Sequence, residues 1–139
     1  MPTTTTPPDL DTRPEIRALV IDFYREVQAD DLLGPVFVDV ARVDWSSHVP
    51  HLVDYWCLVL LGETGYAGTT LATHRRIHGL VGFRREHFER WLEIFEDCVD
   101  RRWTGEQSVR AKDHARRVIE TLRRRLAVEA LSVVEVGRG

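Results

Sequence analysis

Lysine is almost missing from this chain: Lys112 stands alone beside 18 arginines. That bias fits the codon usage of a GC-rich genome and carries no chemistry of its own. Cysteine is scarce as well. Cys57 and Cys98 are far apart, each inside an apolar helical pattern. Without a CxxC pair there is no thiol redox couple, and without CxxCH there is no covalently attached c-type haem. Both are expected as small buried core residues in a reducing cytoplasm. No apolar run approaches the ~20 residues that span a bilayer, so no membrane partner is expected. The opening MPTTTTPPDLDTRP lacks the basic start and apolar centre of a secretory signal. Residues 1–13 read as a disordered Thr/Pro-rich arm. Internal repeats are absent and strand signals are few.

What remains is helical. A chain of 139 residues suits one domain with one core, expected over 14–130, with a tail at 131–139. Ile16, Leu19, Val20, Phe23 and Val27 follow the i, i+3, i+4 spacing of an amphipathic helix, and Thr12 with Glu15 fits a capping box at its start. Gly34-Pro35 forces a turn. A second helix covers SSHVPHLVDYWCLVLLG, capped by Ser46 or Ser47, with Pro50 in its first turn and Val49, Leu52, Val53, Trp56 and Leu60 as its stripe. A glycine loop and a short helical piece around 71–78 follow. A third helix over 84–102 carries Phe88, Trp91, Leu92, Phe95 and Val99, and a fourth over 106–130 carries Ala111, Ala115, Val118, Ile119, Leu122 and Leu126. Thr104 with Gln107 fits a capping box for the fourth. The expected class is a compact all-α core.

The net charge of −3 hides an asymmetry. Residues 1–100 hold nine arginines and no lysine against 17 acids, whereas residues 101–125 hold nine basic residues against three acids. A basic helix can bind nucleic acid. Here only Trp103 accompanies the charges, which fall on one side of a helix, so a solvated face is expected and nucleic acid is not.

The segment THRRIH places His74 and His78 four residues apart, one above the other on a helix. Three readings stay open on the residues alone. The pair could share a metal, although Arg75 stands where a zinc protease carries Glu, and Glu86 and Glu89 do not give the Glu-x-x-His spacing of a carboxylate-bridged site. Both could face solvent. Or one could hold a haem iron axially, facing an apolar pocket with a few polar donors. Tyr24, His48 and Trp91 are candidates for those donors, each with a plainer reading as a core or surface residue.

Taken together, FYREVQADDLLGPVF (23–37), DWSSHVPHLVDYWCLVLLG (44–62), YAGTTLATHRRI (66–77) and FRREHFERWLEIFEDCV (83–99) resemble the truncated haemoglobins, most closely their third group. The resemblance implies a globin-like two-over-two helical sandwich enclosing non-covalent haem b. It implies His74 as the proximal iron ligand, Tyr24, His48 and Trp91 as distal donors, and Phe37 on the haem face. Leu52, Ile77 and Phe88 complete the expected haem-binding set, and Arg76, or its neighbour Arg75, is expected to pair with a propionate. Thr70 and His78 stand where relatives often carry proline, and His51 competes with His48 for the distal role. The implied ligands are O2, CO and NO, at a five-coordinate iron served by an unidentified reductase. Several donors should hold O2 tightly, which argues against delivery and for NO oxidation, peroxide activation or sensing. A haem-free globin-like binding module is the alternative.

Overall fold

A computed structural model describes residues 6–35, 45–63 and 84–136, with side chains described over 6–35, 49–63 and 84–124. Four helices carry the fold: α1 (Arg13–Ala29), α2 (Trp45–Leu61), α3 (Arg85–Arg102) and α4 (Glu106–Val136). Among the described residues there is no strand. Helix α1 packs on α2 and on α3, α3 packs along α4, and α2 touches α4. The result is the expected all-α arrangement of two helix pairs. No helix among the described residues is long and apolar enough to cross a membrane.

The apolar stripes explain why these helices meet. Ile16, Leu19, Val20, Phe23, Tyr24 and Val27 of α1 are buried together with Leu52, Val53, Trp56, Cys57 and Leu60 of α2. Phe88, Trp91, Ile94, Phe95, Cys98 and Val99 of α3 join Ala111, Ala115, Ile119 and Leu122 of α4. Both cysteines are free and buried, as expected. Leu92 and Val118 are only partly buried and line the margin of the core.

Helix ends depart from the local rules. Thr12 caps α1 by accepting the Glu15 N–H at 3.4 Å, but the Glu15 carboxylate accepts the indole N–H of Trp103 at 2.6 Å. A long-range donor therefore takes the side chain that the capping box would have used. Helix α2 begins at Trp45, so Pro50 lies inside it and not in its first turn. Its missing N–H forgoes the bond to the Ser46 carbonyl, which burial of the α2 stripe outweighs. Ser46 and Ser47, expected to cap it, lie inside its first turn instead. Helix α4 runs on to Val136, through most of what reads as a tail.

Residues 8–12, read from sequence as part of a disordered arm, are packed instead. Leu10 is fully buried in the core, and the Pro8 carbonyl accepts the Thr104 N–H at 3.0 Å. The Asp9 carboxylate accepts from the backbone N–H of Gln107 (2.9 Å) and of Ser108 (2.8 Å), and from the Ser108 hydroxyl (2.7 Å). These are the orphan donors at the start of α4. Asp9, not Thr104, therefore caps this helix. Gly105 makes room for it: a Cβ there would lie 2.6 Å from the Asp9 carboxyl carbon, and its φ of +127° is itself glycine territory.

The charge asymmetry resolves into ion pairs. Arg101 reaches Glu26, Arg102 reaches Asp22, Lys112 reaches Asp100 and Arg116 reaches Glu96. At the other edge Arg13 bridges Asp54 and Glu63 of the α2 end. Each exposed pair contributes little alone. Together they match the acidic first two-thirds of the chain to its basic stretch.

Candidate functional site

Phe23 and Tyr24 leave α1 side by side, and α3 meets them with Trp91 and Phe95. Phe23 is the hub: its ring lies edge-on to Tyr24 at 4.9 Å, to Trp91 at 5.0 Å and to Phe95 at 5.3 Å. Such T-shaped contacts bring ring edges to ring faces and fix their relative orientation. Tyr24 and Trp91 are both nearly enclosed, 5% and 8% exposed. Leu52 of α2 and Phe88 of α3 are buried in the same cluster and supply apolar wall. Burial alone pushes the Tyr24 hydroxyl well above its ordinary range, so it stays protonated and can donate at any physiological pH.

The spacing of the two donor-bearing helices is braced next to the site. Arg90, adjacent to Trp91, donates from Nε to Asp30 Oδ1 at 2.7 Å. Asp30 follows α1 and also accepts the N–H groups of Leu32 (3.2 Å) and Leu33 (3.0 Å). Burial pulls the Asp30 carboxyl upward, but the Leu33 N–H and Arg90 outweigh it, and its pKa falls below the usual range. The Gly34 N–H closes the turn on the Asp30 carbonyl at 2.8 Å. A Cβ at Gly34 would come within 2.6 Å of the Gln28 carbonyl oxygen, so this turn has no room for a side chain.

Four expected site residues thus fall in described structure, and Tyr24, Trp91, Leu52 and Phe88 are buried in one core cluster. The helix bearing His48 is described, its side chain is not. His74, Phe37, Ile77 and Arg76 lie outside the described residues, as do His78, Arg75 and Thr70. The described part of the site is one wall. That wall has the right chemistry for a haem pocket, namely apolar rings with a buried phenol and a buried indole among them. Among the described residues no group of three or more His, Cys, Asp or Glu side chains could hold a metal ion on its own.

Sequence reasoning missed two histidines. His87, one turn before Trp91, is 8% exposed, and its Nδ1 accepts the Arg84 backbone N–H at 2.9 Å. The neutral ring then carries its proton on Nε2. Its i, i+4 relation to Trp91 on the core stripe was the available signal. His114 of α4 meets Tyr55 of α2, with the phenol oxygen and Nε2 2.6 Å apart. His114 lies off the main stripe of its helix, so no periodicity pointed to it.

Comparison with known proteins places this geometry. The sequence pattern of the bacterial-like globins matches residues 9–127. A group 3 truncated hemoglobin from Campylobacter jejuni is 34% identical over 88 residues, covering 61% of this chain and 67% of that protein. The crystal structure of the group III truncated hemoglobin from Campylobacter jejuni aligns with a TM-score of 0.73 at 27% identity, over 91% of this chain and 95% of that one.

Proposed function

The chain belongs to the bacterial-like globins, in their group III truncated haemoglobin branch, and from that premise we propose that it binds haem b non-covalently and holds diatomic ligands against Tyr24 and Trp91. Haem, when bound, supplies an iron with one position open to O2, CO or NO. His74 is the residue assigned to the iron. Tyr24, Trp91 and His48 are assigned to the opposite side. Phe37, Leu52, Ile77 and Phe88 are assigned to the walls, and Arg76 to a propionate. The observation that carries the reading is the buried pair of Tyr24 and Trp91 around Phe23, on a wall otherwise built of apolar side chains.

In this arrangement Tyr24 acts as a hydrogen-bond donor. Its O–H keeps its proton because burial opposes ionisation. The Trp91 indole can only donate. Charge that builds on the outer atom of a ligand is met by donors already in place, in a site of low dielectric where such bonds are strong. Leu52 and Phe88 keep water from competing. A ligand held this way leaves slowly, which suits reaction at the ligand, such as NO oxidation or peroxide reduction with electrons from a reductase, better than delivery.

Absorption spectra of the purified protein in ferric, ferrous and CO-bound forms test the reading directly. A Soret band that shifts on CO binding is expected. Its absence would leave a haem-free helical module. His74→Ala should lose haem or move the band, and an unchanged band would remove His74 from the iron.

A further inference from the structure

A line of touching rings connects Trp91 to the edge of the molecule. Trp91 is stacked with Phe95 at 5.7 Å with the planes 1° apart, and Phe95 with Trp56 at 5.1 Å and 18°. Trp56 meets Tyr55 edge-on at 5.6 Å and His114 at 5.4 Å. The line ends at the bond between the Tyr55 hydroxyl and His114 Nε2, 2.6 Å long. Trp91, Phe95 and Trp56 are buried, while Tyr55 and His114 are half-buried and reach the surface.

Tryptophan and tyrosine are the side chains that release an electron most readily, and electron tunnelling weakens steeply with distance. Rings in contact therefore make a fast path. A phenol that loses an electron becomes a strong acid and needs somewhere to put its proton. His114 is suited to take it. Burial, aided by the charge of Arg117, lowers its pKa and favours the neutral ring beside the phenol.

We propose that Tyr55, backed by His114, is a redox site that sends an electron along Trp56, Phe95 and Trp91 when the pocket reduces hydrogen peroxide. The proposal rests on the haem reading above. Peroxide takes up two electrons and two protons and leaves as two waters. One electron comes from the haem and the other from Tyr55, and the two protons come from solvent. At Tyr55 the O–H bond breaks and its proton moves to His114 Nε2, leaving a neutral phenoxyl radical hydrogen-bonded to imidazolium. Two molecules of a small one-electron reductant of the ascorbate class, reaching the half-buried ring in turn, return both electrons, one to Tyr55 and one along the same rings to the haem, and His114 returns the proton to Tyr55. Oxidising power is thereby drawn out of the core before it damages Tyr24 or Trp91.

The test is electron paramagnetic resonance of the ferric haem protein, frozen at short times after one equivalent of hydrogen peroxide. The wild type should show a tyrosyl radical. Tyr55→Phe should abolish it, and Trp56→Phe should lower its yield although every tyrosine remains. His114→Gln should shift the high-field spectrum, because the bond to a positively charged donor is gone. A signal of full intensity in Tyr55→Phe overturns the proposal. So does a wild type that consumes peroxide without any tyrosyl signal. If Tyr55→Phe does not fold, an undiminished signal in Trp56→Phe overturns it equally. A protein without a Soret band would sink the haem reading and this one with it, whereas a Soret band with an unchanged signal sinks this one alone.

Discussion

Arg90 of α3 reaches the carboxylate that ends α1, with Nε 2.7 Å from Asp30 Oδ1, and Trp91 is the next residue along. This pair ties the helix that bears Trp91 to the end of the helix that bears Tyr24. The Asp30 side chain is 8% exposed, so removing its partner strands a buried charge. Arg90→Ala should cost about 1–3 kcal/mol, read as a lower urea midpoint at unchanged slope. It should also speed ligand release, since the donor spacing loosens. An unaltered midpoint would show that the Leu32 and Leu33 N–H groups hold Asp30 unaided.

Acid should weaken the fold through two carboxylates. At Asp9 burial works against ionisation, but the N–H groups of Gln107, Leu10 and Ser108 and the Ser108 hydroxyl outweigh it, and the pKa is lowered, as at Asp30. A group more acidic in the folded state stabilises above its unfolded value of about 4 and loses that contribution as pH falls through its folded value. Thermal midpoints should therefore drop below about pH 4, and the drop should be shallower in Asp9→Asn and in Asp30→Asn. Equal slopes in all three proteins would mean other carboxylates set the acid limit.

Tyr24→Phe removes one donor and leaves the ring. If the hydroxyl bonds the ligand at about 1.5–3 kcal/mol, O2 dissociation should speed up roughly tenfold to a hundredfold in stopped-flow measurements. Trp91→Phe should act in the same direction. A rate unchanged by Tyr24→Phe but raised by Trp91→Phe would assign the bond to the indole alone.

Gly105 and Asp9 compete for the same space. Asp9→Ala should cost about 2 kcal/mol, near the top of the range for losing a helix cap. Gly105→Ala should cost about 1–3 kcal/mol from the φ of +127° and the collision with the carboxylate. The double variant should be more stable than the two costs predict when added, because the collision has gone. Strict additivity in denaturant titrations would show that backbone strain alone forbids a side chain at Gly105.

Much of this was legible in the order of residues, for a physical reason. A helix must bury one face, so Ile16 to Val27 on α1 and Phe88 to Val99 on α3 betray themselves by spacing. The matched segments singled out Tyr24 and Trp91, and both are buried against Phe23. Helix ends were harder. Thr12 obeyed the local rule, whereas Glu15 was claimed by Trp103 and the start of α4 by Asp9, partners 88 and 98 to 99 residues away. Local patterns do not record such distant claims. Tyr55 and His114 escaped notice because a polar pair at a helix margin has no period. His74, Phe37, Ile77 and Arg76 lie outside the described residues and are assigned by resemblance.

The Asp9 cap also bears on the order in which the molecule comes together. Closing a loop across nearly the whole chain carries an entropic cost that grows with its length, so contacts between distant residues tend to form late. Until Asp9 docks, the first N–H groups of α4 have only water, and its leading turn frays. Helix α4 is then finished by a residue made some hundred positions earlier. Refolding followed at Trp103, which sits between Glu15 and that turn, should therefore report a late step that Asp9→Ala slows or removes, after the helical signal of α1 and α3 has already risen.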